Sequence, residues 1–189
     1  MTLNKYFIGF ELPAEHRLKL VKAQELAKRY FEQSTTRVLG MDDFHITALY
    51  LGGMPREQAE AVINDMSWGF GRIEFRFDGA AVFDGRGGPH ALVLKLHDMW
   101  GGAELLHKFL KTSKHFTKMQ HGKWPYNPHI TLAKADGPAD NGLFHAHHVI
   151  NVEMLHNVTK HEFRCEWLSL FEKAEGATSY TPHRVLQIR

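Results

Sequence analysis

Asp43-Phe44-His45-Ile46-Thr47-Ala48-Leu49-Tyr50-Leu51-Gly52 and, further along, Pro128-His129-Ile130-Thr131-Leu132 repeat one short pattern. Each places a threonine two residues after a histidine, with apolar residues at the intervening and following positions. The β-branched, alternating character of both stretches predicts strands, in which residues two apart share a face and lie about 7 Å apart. An imidazole and a hydroxyl then emerge side by side. Strict alternation from His45 also sends Thr47, Leu49 and Leu51 to one face, before Gly52-Gly53 turns the chain.

With fourteen histidines, a lone His-x-Thr is expected by chance. Two copies that also satisfy both apolar positions arise by chance in roughly one sequence in a hundred. His115-Phe116-Thr117-Lys118 is an internal control, because it has the spacing but falls at the end of a predicted helix, where positions two apart do not share a face. His115 is therefore set aside.

The motifs close two similar halves. Lys5–Phe10 reads as a buried aromatic strand, and Leu12-Pro13 opens a helix marked by Leu20, Ala23, Ala27 and Tyr30. A polar stretch around Ser34 to Arg37 leads to the first motif. Pro55 starts a second helix with its stripe at Ala59, Val62, Ile63 and Met66, and Ile73, Phe75 and Phe77 mark a half-exposed strand. After Gly85 to Gly88, a strand from His90 to Leu96 and a helix through Leu105, Phe109, Thr112 and Phe116 restart the order. His90 precedes His129 by the 39 residues that separate Tyr6 from His45. Segments around Val149–Leu155, Phe163–Phe171 and Val185–Ile188 read as further strands. The expected architecture is α+β: one domain over 1–189 with two pseudo-twofold related αβ lobes and antiparallel sheets around a central cleft.

The totals narrow the function classes. At 43% hydrophobic and 23% charged, with a net charge of +2 and scattered basic residues, the chain has a globular composition and lacks the basic field of a long-duplex binder. No apolar run is long enough to cross a membrane, and the first residues lack a secretory pattern, so a cytoplasmic protein is expected. Cys165, the lone cysteine, is expected to pack as a small hydrophobe.

Two facing His-x-Thr strands supply what phosphate-ester chemistry needs. One imidazole accepts a proton from water, the other protonates the leaving oxygen, and the hydroxyls bind phosphate oxygens. Histidine suits both roles because its ordinary pKa of about 6.5 keeps both protonation states available near neutrality. No metal or other cofactor is required by this scheme.

These motifs, with Lys5–Pro13 at one end and Trp167–Glu172 and Tyr180–Leu186 at the other, resemble the 2H phosphoesterase superfamily, nearest to the bacterial RNA 2′,3′-cyclic phosphodiesterases historically called 2′-5′ RNA ligases. The resemblance implies a bilobal fold with both motifs in its groove. It also implies hydrolysis of a 2′,3′-cyclic phosphate to a 2′-phosphate, with His45 and His129 as acid and base in an unassigned order and Thr47 and Thr131 on the phosphate. The relatives commonly carry an arginine five residues after the second histidine; here Lys134 stands there, a charge without the bidentate fork. Strict alternation points residue 134 away from His129, so a phosphate role requires a bulge or a strand end. Tyr126 and Trp124 are candidates to stack a base, against the alternative that they are core.

Expected partners are RNA ends, short oligonucleotides or cyclic nucleotides as substrates, with no membrane, no obligate protein partner and a monomeric state. Hydrolysis of 2′-5′ oligoadenylates or cyclic oligonucleotide messengers, used by some virus-encoded relatives against host defence, stays open. So does a non-catalytic RNA-end-binding module. His145, His147 and His148 form a local cluster with metal-ligand chemistry, but Asn141 and Gly142 suggest a surface loop, and no spaced carboxylate accompanies them. Gly85-Arg86-Gly87-Gly88-Pro89 lacks the Lys-Ser/Thr ending of a phosphate loop and precedes a strand, so a hairpin turn is expected.

Overall fold

The computed structural model describes residues 3–31, 36–66, 72–85, 88–116, 125–135, 141–158 and 162–188. Trp124, Arg86 and Thr117 lie outside the described residues.

Two antiparallel sheets carry the molecule. In the first, β1 (Lys5–Glu11) lies between β3 (His45–Gly53) and β8 (Trp167–Lys173), with β9 (Thr181–Gln187) beyond β8. In the second, β5 (Gly88–Asp98) lies between β6 (His129–Ala135) and β4 (Glu74–Gly85), β7 (Glu162–Arg164) borders β4, and β2 (Thr36–Val38) is added outside β6. The motif strands β3 and β6 lie against each other where the sheets meet. Helices α2 (Arg56–Asn64) and α3 (Gly102–Leu110) pack against strands of the first sheet, and α1 (Ala14–Lys28) and α4 (Asn141–Val158) against the second. Helices α1 and α3 each follow a strand of one sheet and reach a motif strand of the other, which ties the lobes into one hydrophobic core. Pro13 and Pro55 cap α1 and α2, their carbonyls accepting the first helical N–H groups from His16, Arg17, Gln58 and Ala59.

The two motif strands match in register down to single residues. In β1–β3, Glu11 faces His45, Phe10 faces Ile46 and Gly9 faces Thr47; an irregularity follows, after which Ile8 faces Leu49 and Phe7 faces Tyr50. In β5–β6, Lys95 faces His129, Leu94 faces Ile130 and Val93 faces Thr131; the same irregularity follows, after which Leu92 faces Ala133 and Ala91 faces Lys134. Adding 84 to every residue number of the first set gives the second. The unpaired extra residue is Ala48 in one strand and Leu132 in the other, a β-bulge that reverses the alternation beyond it.

The bulges correct the alternation expected above. Leu49 and Leu51 are buried in the core, and Tyr50 joins His45 and Thr47 on the half-buried face. In β6, Lys134 likewise joins His129 and Thr131.

Other differences have local causes. The segment expected as a strand at Val149–Leu155 lies within α4, where Leu143, Ala146 and Ile150 are buried at helical spacing and Asn151 bonds both backbone polar groups of Ala80 at the irregular point of β4. Helix α3 stops at Leu110 and not near Phe116, with turns closed by Thr112 N–H to the Phe109 carbonyl and Ser113 N–H to that of Leu110. The unforeseen strand β2 begins within the polar stretch that ends at Arg37. Pairing of β4 with β5 runs to Gly85 opposite Gly88, as a hairpin requires. Cys165 is fully buried, and burial pushes its thiol pKa up, away from nucleophilic use.

Candidate active site

Each motif histidine is oriented by its own chain. His45 Nδ1 lies 2.6 Å from the Asp43 carbonyl, and His129 Nδ1 lies 2.8 Å from the Asn127 carbonyl. A carbonyl only accepts, so Nδ1 carries the proton in both rings and Nε2 is the nitrogen left for exchange. The tautomer is thus written into the two residues before each strand.

The surroundings of the rings differ. Phe7, Phe171 and Tyr180 enclose His45, with centroids 4.3, 5.2 and 6.0 Å away. His129 meets the edge of Phe83 at 4.8 Å. Phe171 and Phe83 are counterparts, because they pair with the equivalent residues Phe7 and Ala91. Burial, with smaller contributions from the charges of Lys134 and His129, lowers the His45 pKa from its ordinary 6.5 to about 4. Burial, and then Lys134, also lowers that of His129. Both imidazoles are therefore biased to the neutral form, unlike the evenly poised pair expected from ordinary values. A phosphate anion between them reverses the charge part of this bias and favours protonation.

Two neighbouring cavities divide the motif residues, and Thr131 lines neither. A cavity of about 550 Å³ is lined by Thr47 and Tyr50 from β3, His129 from β6, Phe83 and Asp84 from β4, and Tyr126 from the segment before β6. A second, of about 40 Å³, has His45 and Lys134 in its wall together with Arg37, Asp43, Lys173 and Tyr180. The bulge brings Lys134 close enough for its charge to act on both imidazoles.

Tyr126 lines the larger cavity, but its ring stacks on His107 at 5.1 Å and its hydroxyl is buried without a hydrogen-bond partner among the described residues. It is a wall as much as a platform. His115 lies in a turn, where its carbonyl accepts from Gln58 Nε2, and it lines neither cavity. On α4, His145 and His148 are exposed and His147 half-buried, a helical surface in place of the expected loop. Among the described residues no group of three His, Cys, Asp or Glu converges to hold a metal ion. Among them, too, no helix is long and apolar enough to cross a membrane.

Two residues that the motifs do not reveal hold the bulges. His107 on α3 donates from Nδ1 to the carbonyl of Ala48 at 2.7 Å. Gln24 on α1 donates from Nε2 to the carbonyls of Leu132 and Leu39, each at 2.8 Å. Each helix that crosses between lobes thus bonds the extra residue of the other lobe's motif strand. The available signal is a pair of polar side chains, Gln24 and His107, on the apolar faces of the corresponding helices.

Comparison with known proteins agrees with this fold. The TT0787 protein of Thermus thermophilus superposes with a TM-score of 0.71 at 21% identity, over 97% of this chain and 96% of that one. Escherichia coli LigT complexed with phosphate gives 0.66 at 18% identity, over 100% and 99%. LigT complexed with 3′-AMP gives 0.63 at 18% identity over the same shares. No curated protein sequence matches the chain. The model of the 2′-5′ RNA ligase superfamily matches residues 19–177, and the chain belongs to that superfamily.

Proposed function

We propose that this phosphoesterase opens 2′,3′-cyclic phosphates on RNA ends or nucleotides to give 2′-phosphates, without a metal. The observation that supports the reading is the registered repeat: two adjoining strands carry His, Thr and a residue beyond a bulge on one half-buried face each, with both Nδ1 atoms tied back so that both Nε2 atoms remain for proton transfer. A cyclic phosphate bridges the histidines. One Nε2 takes a proton from water as its oxygen bonds to phosphorus, the P–O3′ bond breaks, and the other imidazole, protonated beforehand, gives its proton to O3′. Thr47 and Thr131 donate to the non-bridging oxygens, and Lys134 balances the charge that accumulates on them. The mostly apolar cavity beside His129 has the size of a small-molecule site and suits a nucleoside, with Tyr50, Phe83 and Tyr126 in its wall.

The test is product identification. Purified protein with excess chelator should convert 2′,3′-cyclic AMP to 2′-AMP alone. Because burial lowers both histidine pKa values, the acid limb of kcat/KM should fall below pH 6.5. Formation of 3′-AMP, or activity that disappears with chelator and returns with added metal, overturns the mechanism. Turnover of 2′-5′ oligoadenylate or a cyclic dinucleotide with no turnover of 2′,3′-cyclic AMP would move the substrate to the alternative class.

A further inference from the structure

Arg37 and Lys134 sit directly opposite each other on β2 and β6, and directly opposed residues of an antiparallel pair project to the same side. Two positive charges in that relation repel and weaken the pairing. Strand β2 has only three residues, so this repulsion falls on a short edge strand. From the other sheet, Lys173 at the end of β8 comes to the same place, its Nζ 5.6 Å from the centroid of the Tyr180 ring that packs on His45. Arg37 donates from Nη1 to the Thr178 carbonyl at 3.2 Å, which holds its guanidinium head against the chain between β8 and β9. All three cations and His45 line the cavity of about 40 Å³, with Asp43 the acidic residue among them. That volume holds a small oxyanion and excludes a nucleobase.

We infer that Arg37 and Lys173 form a second anion subsite, beyond Lys134, that takes a neighbouring phosphate of the substrate, so that the enzyme prefers substrates with two phosphates over a cyclic mononucleotide. The inference rests on the reading of His45, His129 and Lys134 as the reacting-phosphate site. Adjacent strands are about 4.8 Å apart, so Arg37 on β2 and Lys134 on β6 are direct neighbours, and an anion met by one lies next to an anion met by the other. A second phosphate reaches this place in one of two ways, on the 5′ side of the reacting nucleotide or on the far side of a 2′-5′ linkage.

Binding separates these cases without depending on turnover. The probes are adenosine 2′-monophosphate, adenosine 2′,5′-bisphosphate, and 2′-5′-linked ApA ending in a 2′-phosphate, titrated by calorimetry at several salt concentrations. One of the two-phosphate probes should bind about tenfold tighter or more at low salt, with a log Kd against log salt slope steeper by about 0.7, the value for one added phosphate contact on a single strand. Which probe gains identifies the source. Arg37→Gln and Lys173→Gln should each reduce that gain, Arg37→Lys should retain most of it, and the exposed-charge control Lys22→Gln should leave it unchanged. Equal affinity for all three probes, or variants that weaken all three alike, overturns the subsite. Turnover of 2′,3′-cyclic AMP without a two-phosphate gain sinks this inference alone, whereas failure of every probe to bind, together with no turnover, overturns the proposed function as well.

Discussion

Strands β3 and β6 share register, bulge and tautomer-fixing carbonyls, yet their polar faces end differently, with Tyr50 in one and Lys134 in the other. Their histidines differ too: His45 is packed among three rings, and His129 against the edge of one. Repetition therefore supplies the geometry that proton transfer needs in duplicate, while the positions beyond the bulge diverge. We attribute that divergence to a reaction in which the two sides of the phosphate receive different neighbours: an aromatic wall beside Tyr50 and a cationic one beside Lys134.

The most severe way to break the comparison is to remove the shared elements. His45→Ala and His129→Ala should each lower kcat on 2′,3′-cyclic AMP by about 10²-fold or more, the contribution of a positioned acid or base. The double variant should be little worse, because two groups acting in one transfer are non-additive. His115→Ala, outside both cavities, should keep full activity. Multiplicative losses in the double variant would mean that the motifs act independently, and a loss at His115 equal to that at His129 in a folded protein would end the two-motif reading.

The divergent positions come next. Lys134→Ala should lower kcat/KM by about tenfold to a hundredfold, and Lys134→Arg should restore most of it, because charge near the phosphate is the property required. Tyr50→Phe should change kcat/KM by less than about threefold, since its expected contribution is ring surface. Steady-state kinetics on all three variants decides this. Equal losses at Tyr50 and Lys134 would erase the distinction between the two walls.

Much of the site was legible in the sequence because it is local. His-x-Thr on a strand needs no knowledge of the fold, and Pro13, Pro55 and the Gly85–Gly88 turn mark boundaries by backbone chemistry. A bulge in the second motif strand is foreseen only as a condition for a role of Lys134, and the one in the first is not foreseen, although the trace of both is present: Ala48-Leu49 and Leu132-Ala133 are adjacent apolar pairs that interrupt alternation at the same step of both motifs. Assuming strict alternation hid Tyr50 and left Lys134 facing the wrong way. The strand expected near Val149 failed because Val149, Ile150 and Val152 suggest a strand locally, whereas Leu143, Ala146 and Ile150 form the helical stripe that packing selects. Strand β2 has no pattern of its own, since three residues gain a strand conformation only by pairing with β6. Arg37 and Lys173 are far apart in sequence and meet only once both sheets are assembled.

The smallest expected effect concerns what holds the two bulges. The Leu132 carbonyl accepts from both Gln24 Nε2 and the Leu39 backbone N–H, so Gln24→Leu removes one of two donors there, and one at Leu39. His107→Leu removes the imidazole donor from the Ala48 carbonyl. Loss of a buried partner costs roughly 1–3 kcal/mol, so both variants should unfold at lower denaturant with unchanged slope. Their kinetic signatures should differ because the bulges orient different side chains. Gln24→Leu loosens the turn that presents Lys134 and should raise KM a few-fold with little change in kcat, most clearly at high salt, where residual charge attraction is screened. His107→Leu loosens the turn that presents Tyr50 and should alter KM by less than twofold at any salt. If Gln24→Leu destabilised the protein while KM stayed fixed, the Leu132 bulge would be a structural feature alone, and the orientation of Lys134 would have to be fixed by its pairing with Arg37.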